Sequence, residues 1–407
     1  MSLSGKLSRR EFFKTAGAVG GGSLLAATGA LAQATGDAPV PASGNPQMPT
    51  RPFGKTGVQV PSLSLGGMFD ITTNQLVLKQ ALNWGVTYWD TADCYNGGKS
   101  EQGIGQFFEK YPEVRKKVFL VTKSDARDPD GITKLLNQSL ERLKTDYIDL
   151  YFIHGVSKIK ELTSETRAWA EKAKASGKIR CFGFSTHSNM EELMSAAAKM
   201  GWIDGIMMTY NFRIMHKDAM KTAVDACVRA GIGLTAMKTQ GGGSVSMESE
   251  TELQMAGRFL RQGYTDKQAR LKAVWENPNI ASICSQMPNI TILMSNIAAG
   301  LNQTKLSAED WRLFARYAEE TASCYCAGCA RICEAAVEGP APIRDVMRYL
   351  MYYHSNGEAD RARALFAQLP DDARRSLANV DFGQAERRCP QRLAIGSLMR
   401  EAGRLLG

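Results

Sequence analysis

Beyond residue 57 the hydrophobic and polar positions fall into two alternating patterns. Short apolar runs (VQVPSLSLGG, VTYWDTADCY, KVFLVTKS, YIDLYFIHG, IRCFGFSTHS, DGIMMTYN, IGLTAMKTQGGG and IASICSQMP) each precede a stretch with helical spacing. In GITKLLNQSLERLK, Ile132, Leu135, Leu136, Leu140 and Leu143 share one helical face. Eight strand–helix units in roughly 250 residues predict an α/β fold, a (β/α)8 TIM barrel, over residues 51–304. No G-x-G-x-x-G follows the first strand, which argues against an open, doubly wound nucleotide-binding sheet. From about Leu306 the strand-like runs stop, and residues 305–407 read as a separate small helical module that contains five cysteines.

The chain has 407 residues, 44% of them hydrophobic, enough for a large core and a second domain. Its formal charge is +9, and Lys6, Arg9, Arg10 and Lys14 against Glu11 place +3 of this near the N-terminus. Elsewhere Lys and Arg are interspersed with acids without a basic block, so no nucleic-acid partner is expected. SRREFFK, a weakly apolar stretch from Thr15 to Leu31 and the small-residue site ALAQA form the three parts of an export signal. It resembles a twin-arginine signal over residues 1–34, cut after Ala34. That resemblance implies passage through the twin-arginine translocase and a periplasmic location, with an uncleaved membrane anchor as the alternative. Residues 35–50, rich in Pro, Gly, Ala and Ser, read as a linker.

In a barrel the chemistry belongs at the C-terminal ends of the strands. Asp90 ends the second strand with Tyr95 just beyond it, Lys123 ends the third and His154 the fourth. YWDTADCYNGGKSEQGIG, FLVTKS, YIDLYFIHG and FGFSTHS, which hold these residues, resemble signature segments of the aldo/keto reductases. The resemblance covers about Arg51 to Asn302 and implies a reversible hydride transfer between NADP(H) or NAD(H) and a small carbonyl or alcohol substrate. Tyr95 would be the proton donor, Lys123 would stabilise its phenolate, Asp90 would hold Lys123, and His154 would orient the carbonyl and donate to its oxygen. For the cofactor the resemblance implies Ser185, Thr186, Tyr210, Lys238 and Asn296. Three departures stand out: Met237 and Lys238 where many members stack an aromatic ring, Gln286 at an expected glycine, and Ser295 for an expected acid. With no Lys or Arg between Cys284 and Gln303, a strong preference for NADP is not expected. Gly241–Gly243 suits either a pyrophosphate contact or a flexible loop.

Cys94, Cys181, Cys227 and Cys284 are isolated and read as small buried hydrophobes. In the module, Cys326-x2-Cys329-x3-Cys333 and Cys389-Pro390 resemble parts of the bacterial ferredoxin motif. Some aldo/keto reductases carry such a C-terminal extension, with two motifs. Here Ser323, Asn379, Phe382 and Ala385 stand at ligand positions, so two clusters cannot form. The resemblance implies one 4Fe-4S cluster on Cys326, Cys329, Cys389 and either Cys333 or Cys324, with Cys333 preferred. Disulfides and a four-thiolate zinc site are the alternatives. Two rival functions remain: a cluster-linked oxidoreductase that exchanges electrons with an outside partner and makes little use of free nicotinamide, and a non-catalytic barrel stapled by disulfides.

Overall fold

The structure is a computed structural model that describes residues 44–407 apart from Ser246 and Pro340. The export-signal reading, and the linker as far as residue 43, lie outside the described residues. Asn45–Gly407 form one compact unit. Residues 47–50, read above as linker, are already tied down: Met48 is buried and its N–H donates to Trp84 O.

Strands β1 (Thr50–Pro52) and β2 (Gln59–Pro61) pair as an antiparallel hairpin, so the first strand-like run splits in two. The barrel comprises β3 (Leu63–Gly66), β4 (Tyr88–Asp90), β5 (Phe119–Ser124), β6 (Ile148–Ile153), β7 (Ile179–Thr186), β8 (Gly205–Thr209), β9 (Gly233–Met237) and β10 (Ser282–Gln286). These eight strands are parallel and close with β10 beside β3. The helices are α1 (Gln75–Asn83), α2 (Lys99–Lys110), α3 (Pro129–Leu143), α4 (Ser164–Ala175), α5 (Met190–Ala197), α6 (Asp218–Arg229), α7 (Glu250–Arg261), α8 (Asp266–Trp275) and α9 (Ile290–Leu301). The expected barrel is therefore the observed one, with two helices after β9.

Alternation along each strand divides the core into two layers. On β6, Leu150 and Phe152 face the barrel interior, where Phe53 from the hairpin turn packs among them. Tyr151 and Ile153 face the helices. The helix starts are locally encoded: Asp128 caps α3 through Gly131 N–H ahead of Pro129, and Thr265 with Gln268 forms a capping box on α8.

Beyond the barrel, α10 (Ala308–Glu320) packs its Leu313 and Phe314 against Phe212 and Phe259, so it belongs to the barrel wall. The rest has its own core, built from α11 (Ala330–Cys333), α12 (Ile343–His354), α13 (Ala359–Ala367), α14 (Asp371–Ser376), α15 (Gly383–Arg388) and α16 (Ile395–Leu406). This module lies over the C-terminal ends of the barrel strands. Asn211 Nδ2 donates to Tyr325 Oη at 3.1 Å, Asn189 N–H donates to Gly328 O at 2.9 Å, and Ser244 Oγ donates to Met347 O at 2.8 Å. Among the described residues no helix is long and apolar enough to cross a membrane.

Candidate active site

The strand ends bring Asp90, Tyr95, Lys123 and His154 together. Asp90 and Lys123 are 2% and 1% exposed, and Lys123 Nζ lies 2.7 and 2.8 Å from the two carboxylate oxygens. The ammonium also donates to Thr91 O at 2.7 Å and to Tyr95 Oη at 3.2 Å. Tyr95 is aimed by the residues that follow it: Asn96, Gly97 and Gly98 all have left-handed φ (49°, 62° and 88°), a run that only Asn and Gly adopt cheaply. Burial pushes the Tyr95 phenol up, and the Lys123 charge works in the opposite direction. Burial opposes the Lys123 ammonium, but Asp90, Tyr95 and Cys284 together outweigh it and raise the amine above its usual range. Glu101, fully buried on α2, accepts from Thr122 Oγ1 at 2.6 Å and so anchors the strand segment beside Lys123.

His154 stands edge-on to Tyr95 with ring centroids 5.8 Å apart. Its Nδ1 lies 3.0 Å from Asp125 Oδ1 and 3.7 Å from Cys94 Sγ. Burial opposes ionisation of Asp125, but the His154 hydrogen bond and nearby charges outweigh it and hold the carboxyl at about 2. The carboxylate therefore takes the Nδ1–H, leaving Nε2 for a ligand. Burial lowers the His154 pKa and favours the neutral ring, whereas Asp125 favours imidazolium. Cys94 is exposed beside this histidine, which corrects the expectation that it is a buried hydrophobe: it lies on the loop after β4, outside the packed layers. Cys284 is half-buried and lines the reaction cavity. Cys94, Asp125 and His154 offer ligand atoms within 4.8 Å of one another.

Tyr95, His154 and Asp90 open into a cavity of about 1420 Å³ between the barrel mouth and the module. Of the expected cofactor residues, Lys238 lines it. Ser185 is buried and accepts from Gly155 N–H at 3.0 Å, and Thr186 is buried and donates to Ser188 O at 2.8 Å. Asn296 donates to Ser285 Oγ at 3.0 Å from behind the cavity wall. Tyr210 is packed in the helix layer, where its hydroxyl accepts from Asn277 Nδ2 at 2.8 Å, and it does not line the cavity. His187 Nδ1, Thr209 Oγ1 and Gln240 Oε1 belong to cavity-lining residues and are buried without a hydrogen-bond partner among the described residues. Unsatisfied polar atoms around so large a space fit a polar ligand of cofactor size.

Two of the departures noted in the sequence, Lys238 and Gln286, are contacts with the module, whereas Ser295 lies on α9 and its carbonyl accepts from Gln268 Nε2 at 2.8 Å. Gln286 Nε2 donates to Glu358 Oε1 at 3.0 Å, and Lys238 Nζ donates to Tyr352 Oη at 3.2 Å. A Cβ on Gly243 would lie 2.5 Å from Cys324 O, and one on Gly328 would lie 2.4 Å from His187 O. These glycines let module and barrel backbones touch.

Cys326, Cys329, Cys333 and Cys389 line one further, small cavity, together with Ile343, Leu393 and Ile395. Cys324 points elsewhere, with its Sγ 3.8 Å from Met247 Sδ. None of the nine cysteines is paired in a disulfide. Burial pushes the thiols of Cys326 and Cys333 up to about 12, so they become thiolates only with a cation among them. Four cysteines around one apolar pocket are the donor set that a thiolate-held cluster would need.

A closed parallel barrel with a Tyr–Lys–Asp–His group at its C-terminal mouth defines a carbonyl/alcohol oxidoreductase class. The Aldo/keto reductase family profile matches residues 63–306. Among curated proteins, the uncharacterized oxidoreductase YqkF of Bacillus subtilis is 27% identical over 295 residues, covering 65% of this chain and 94% of its own. The aldo-keto reductase yakc [NADP(+)] of Schizosaccharomyces pombe is 35% identical over 157 residues, 35% of this chain and 44% of its own. Among solved structures, the aldo-keto reductase AKR11C1 of Bacillus halodurans, in holo form, has a TM-score of 0.54 at 24% identity, covering 66% of this chain and 96% of its own. The chain belongs to the aldo/keto reductase family, whose members use NAD(P)H, and it is an oxidoreductase of that type.

Proposed function

We propose that the protein catalyses reversible hydride transfer between a nicotinamide cofactor and a small carbonyl or alcohol, after export to the periplasm. The observation that carries the chemistry is Lys123 Nζ, bonded at once to Asp90 and to Tyr95 Oη in a buried site. When bound, the cofactor supplies or accepts the hydride. Tyr95 gives its proton to the substrate oxygen as negative charge builds there, and the phenolate left behind faces the Lys123 ammonium. Asp90 keeps that ammonium in place and charged. His154 Nε2 holds the substrate oxygen: it accepts from an alcohol in the neutral ring and donates to a carbonyl as imidazolium. Asp125 fixes the ring orientation for both.

Cys326, Cys329, Cys333 and Cys389 are proposed to hold a single 4Fe-4S cluster, which when bound would supply one-electron storage next to the barrel. A cluster-linked variant of the function is favoured by one observation. The thiol-lined cavity and the reaction cavity share Cys326, Ala327, Gly328, Arg344 and Met347 as walls.

Tyr95→Phe tests the central reading, because it removes the proton donor and keeps the ring. Turnover of small aldehydes with NADPH or NADH is expected to fall by about 10² or more. Turnover within a factor of about two of the parent would rule out the proposed acid.

A further inference from the structure

The roof of the reaction cavity carries a group of cations that the chemistry above does not use. Helix α12 presents Arg348 and Tyr352 to the cavity, α13 presents Arg361, and the barrel presents Lys238. Lys238 Nζ lies 3.2 Å from Tyr352 Oη and 4.5 Å from the ring centroid, and the Arg361 guanidinium sits 4.6 Å from the same centroid. Lys238 has no carboxylate partner among the described residues. Arg348 pairs with Asp345 at 2.9 Å through Nη2, but its Nε is buried without a partner. Arg361 meets Glu358 only at 3.5 Å, and the other oxygen of Glu358 is taken by Gln286. Three partly buried cations thus surround one phenol, with donor capacity left over.

We propose that Lys238, Arg348 and Arg361 form an anion subsite around Tyr352, which takes a carboxylate or phosphate group of the substrate. The proposal rests on the reductase reading, and it narrows the substrate to acidic carbonyl compounds and the corresponding alcohols. Arginine presents paired donors to such planar or tetrahedral oxyanions, and partial burial strengthens the attraction over that in bulk water. The potential there is already strong enough to act on the protein itself. Burial opposes ionisation of Tyr352, yet Lys238, Arg348 and Arg361 outweigh it and draw the phenol down to about 8. Arg348 also acts electrostatically on His154 and His187, which places its charge within range of the reacting centre. The subsite depends on the module, since two of its three cations come from it.

The test is calorimetric titration of the full chain, without nicotinamide, using oxalate and inorganic phosphate as probes. One oxyanion per chain is expected to bind, at least about tenfold more weakly in Arg348→Met and in Lys238→Met. Asp345→Asn, which releases Arg348 from its carboxylate, is expected to bind the probes more tightly. A variant that is merely damaged would not do so. Equal binding by parent and all variants overturns the proposal. Titration with NADPH and NADH separates the sources of the anion: if Arg348→Met weakens the dinucleotides as much as oxalate, these cations serve the cofactor phosphates and the substrate subsite is wrong. In turnover, Arg348→Met is expected to raise KM about tenfold for glyoxylate, with little change in kcat and none in KM for methylglyoxal. If the parent reduces neither aldehyde while oxalate binding follows the expected order, the reductase reading fails and the anion subsite stands.

Discussion

Lys123→Met is expected to separate the two duties of the buried Asp90–Lys123 pair, holding the fold and tuning Tyr95. Both partners are almost fully buried, and Nζ meets the two carboxylate oxygens at 2.7 and 2.8 Å. Removing one side of such a pair strands the other charge, at a cost of about 3–5 kcal/mol. With a urea m-value of about 3 kcal/mol/M, the unfolding midpoint should fall by about 1 M or more. The sign of the pH dependence follows from the stranded carboxylate. A proton neutralises it in acid, so the gap between variant and parent should narrow as pH falls towards about 4 and widen above that. The double variant Asp90→Asn/Lys123→Met leaves no charge behind and should recover most of the stability while staying inactive, because Tyr95 still lacks its cation. Urea unfolding followed by tryptophan fluorescence at several pH values, with turnover assays alongside, measures all of this. A single variant with a midpoint within about 0.3 M of the parent at neutral pH, or a gap indifferent to pH, would refute the reasoning.

Three further outcomes are expected. Direct binding should favour NADPH over NADH by less than about tenfold, or about 1.4 kcal/mol, because no cation follows β10 before Gln303; a larger ratio would point to exposed Lys267, which lines the cavity. Protein purified without oxygen should be brown with about four irons per chain, and Cys389→Ser should lose both colour and iron, whereas Cys324→Ser should keep them; colourless parent protein with disulfides would overturn the cluster. Replacing Arg9 and Arg10 by lysines should retain the precursor in the cytoplasm, and unimpeded export of that variant would remove the twin-arginine reading.

The periodicity of the chain was enough to determine the barrel. Strand alternation and helix spacing are local patterns, and parallel closure then places every strand end at one mouth. For the same reason Asp90, Lys123 and His154 were legible as a group: each is the polar residue that ends an apolar run. Tyr95 was legible as the residue just beyond the second strand end within a segment resembling the family, and the structure adds that the left-handed Asn96-Gly97-Gly98 backbone aims it. What lay outside local pattern was decided only by the tertiary structure. Asp125 follows Ser124 like any loop acid, and only the packing of neighbouring strand ends brings it to His154 Nδ1. Tyr210 sits one residue past β8, and its register turns the ring into the helix layer and away from the mouth. Cys324 stands two residues before Cys326 in the chain, yet its Sγ turns to Met247 Sδ, while Cys333 lines the small cavity with Cys326, Cys329 and Cys389. Above all, the covering of the barrel mouth is invisible to any window of sequence. Lys238 and Tyr352 are 114 residues apart and Gln286 and Glu358 are 72 apart. Lys238 and Gln286, which looked like departures from a family pattern, are complementary to the C-terminal helices, and complementarity between distant surfaces exists only once both have folded.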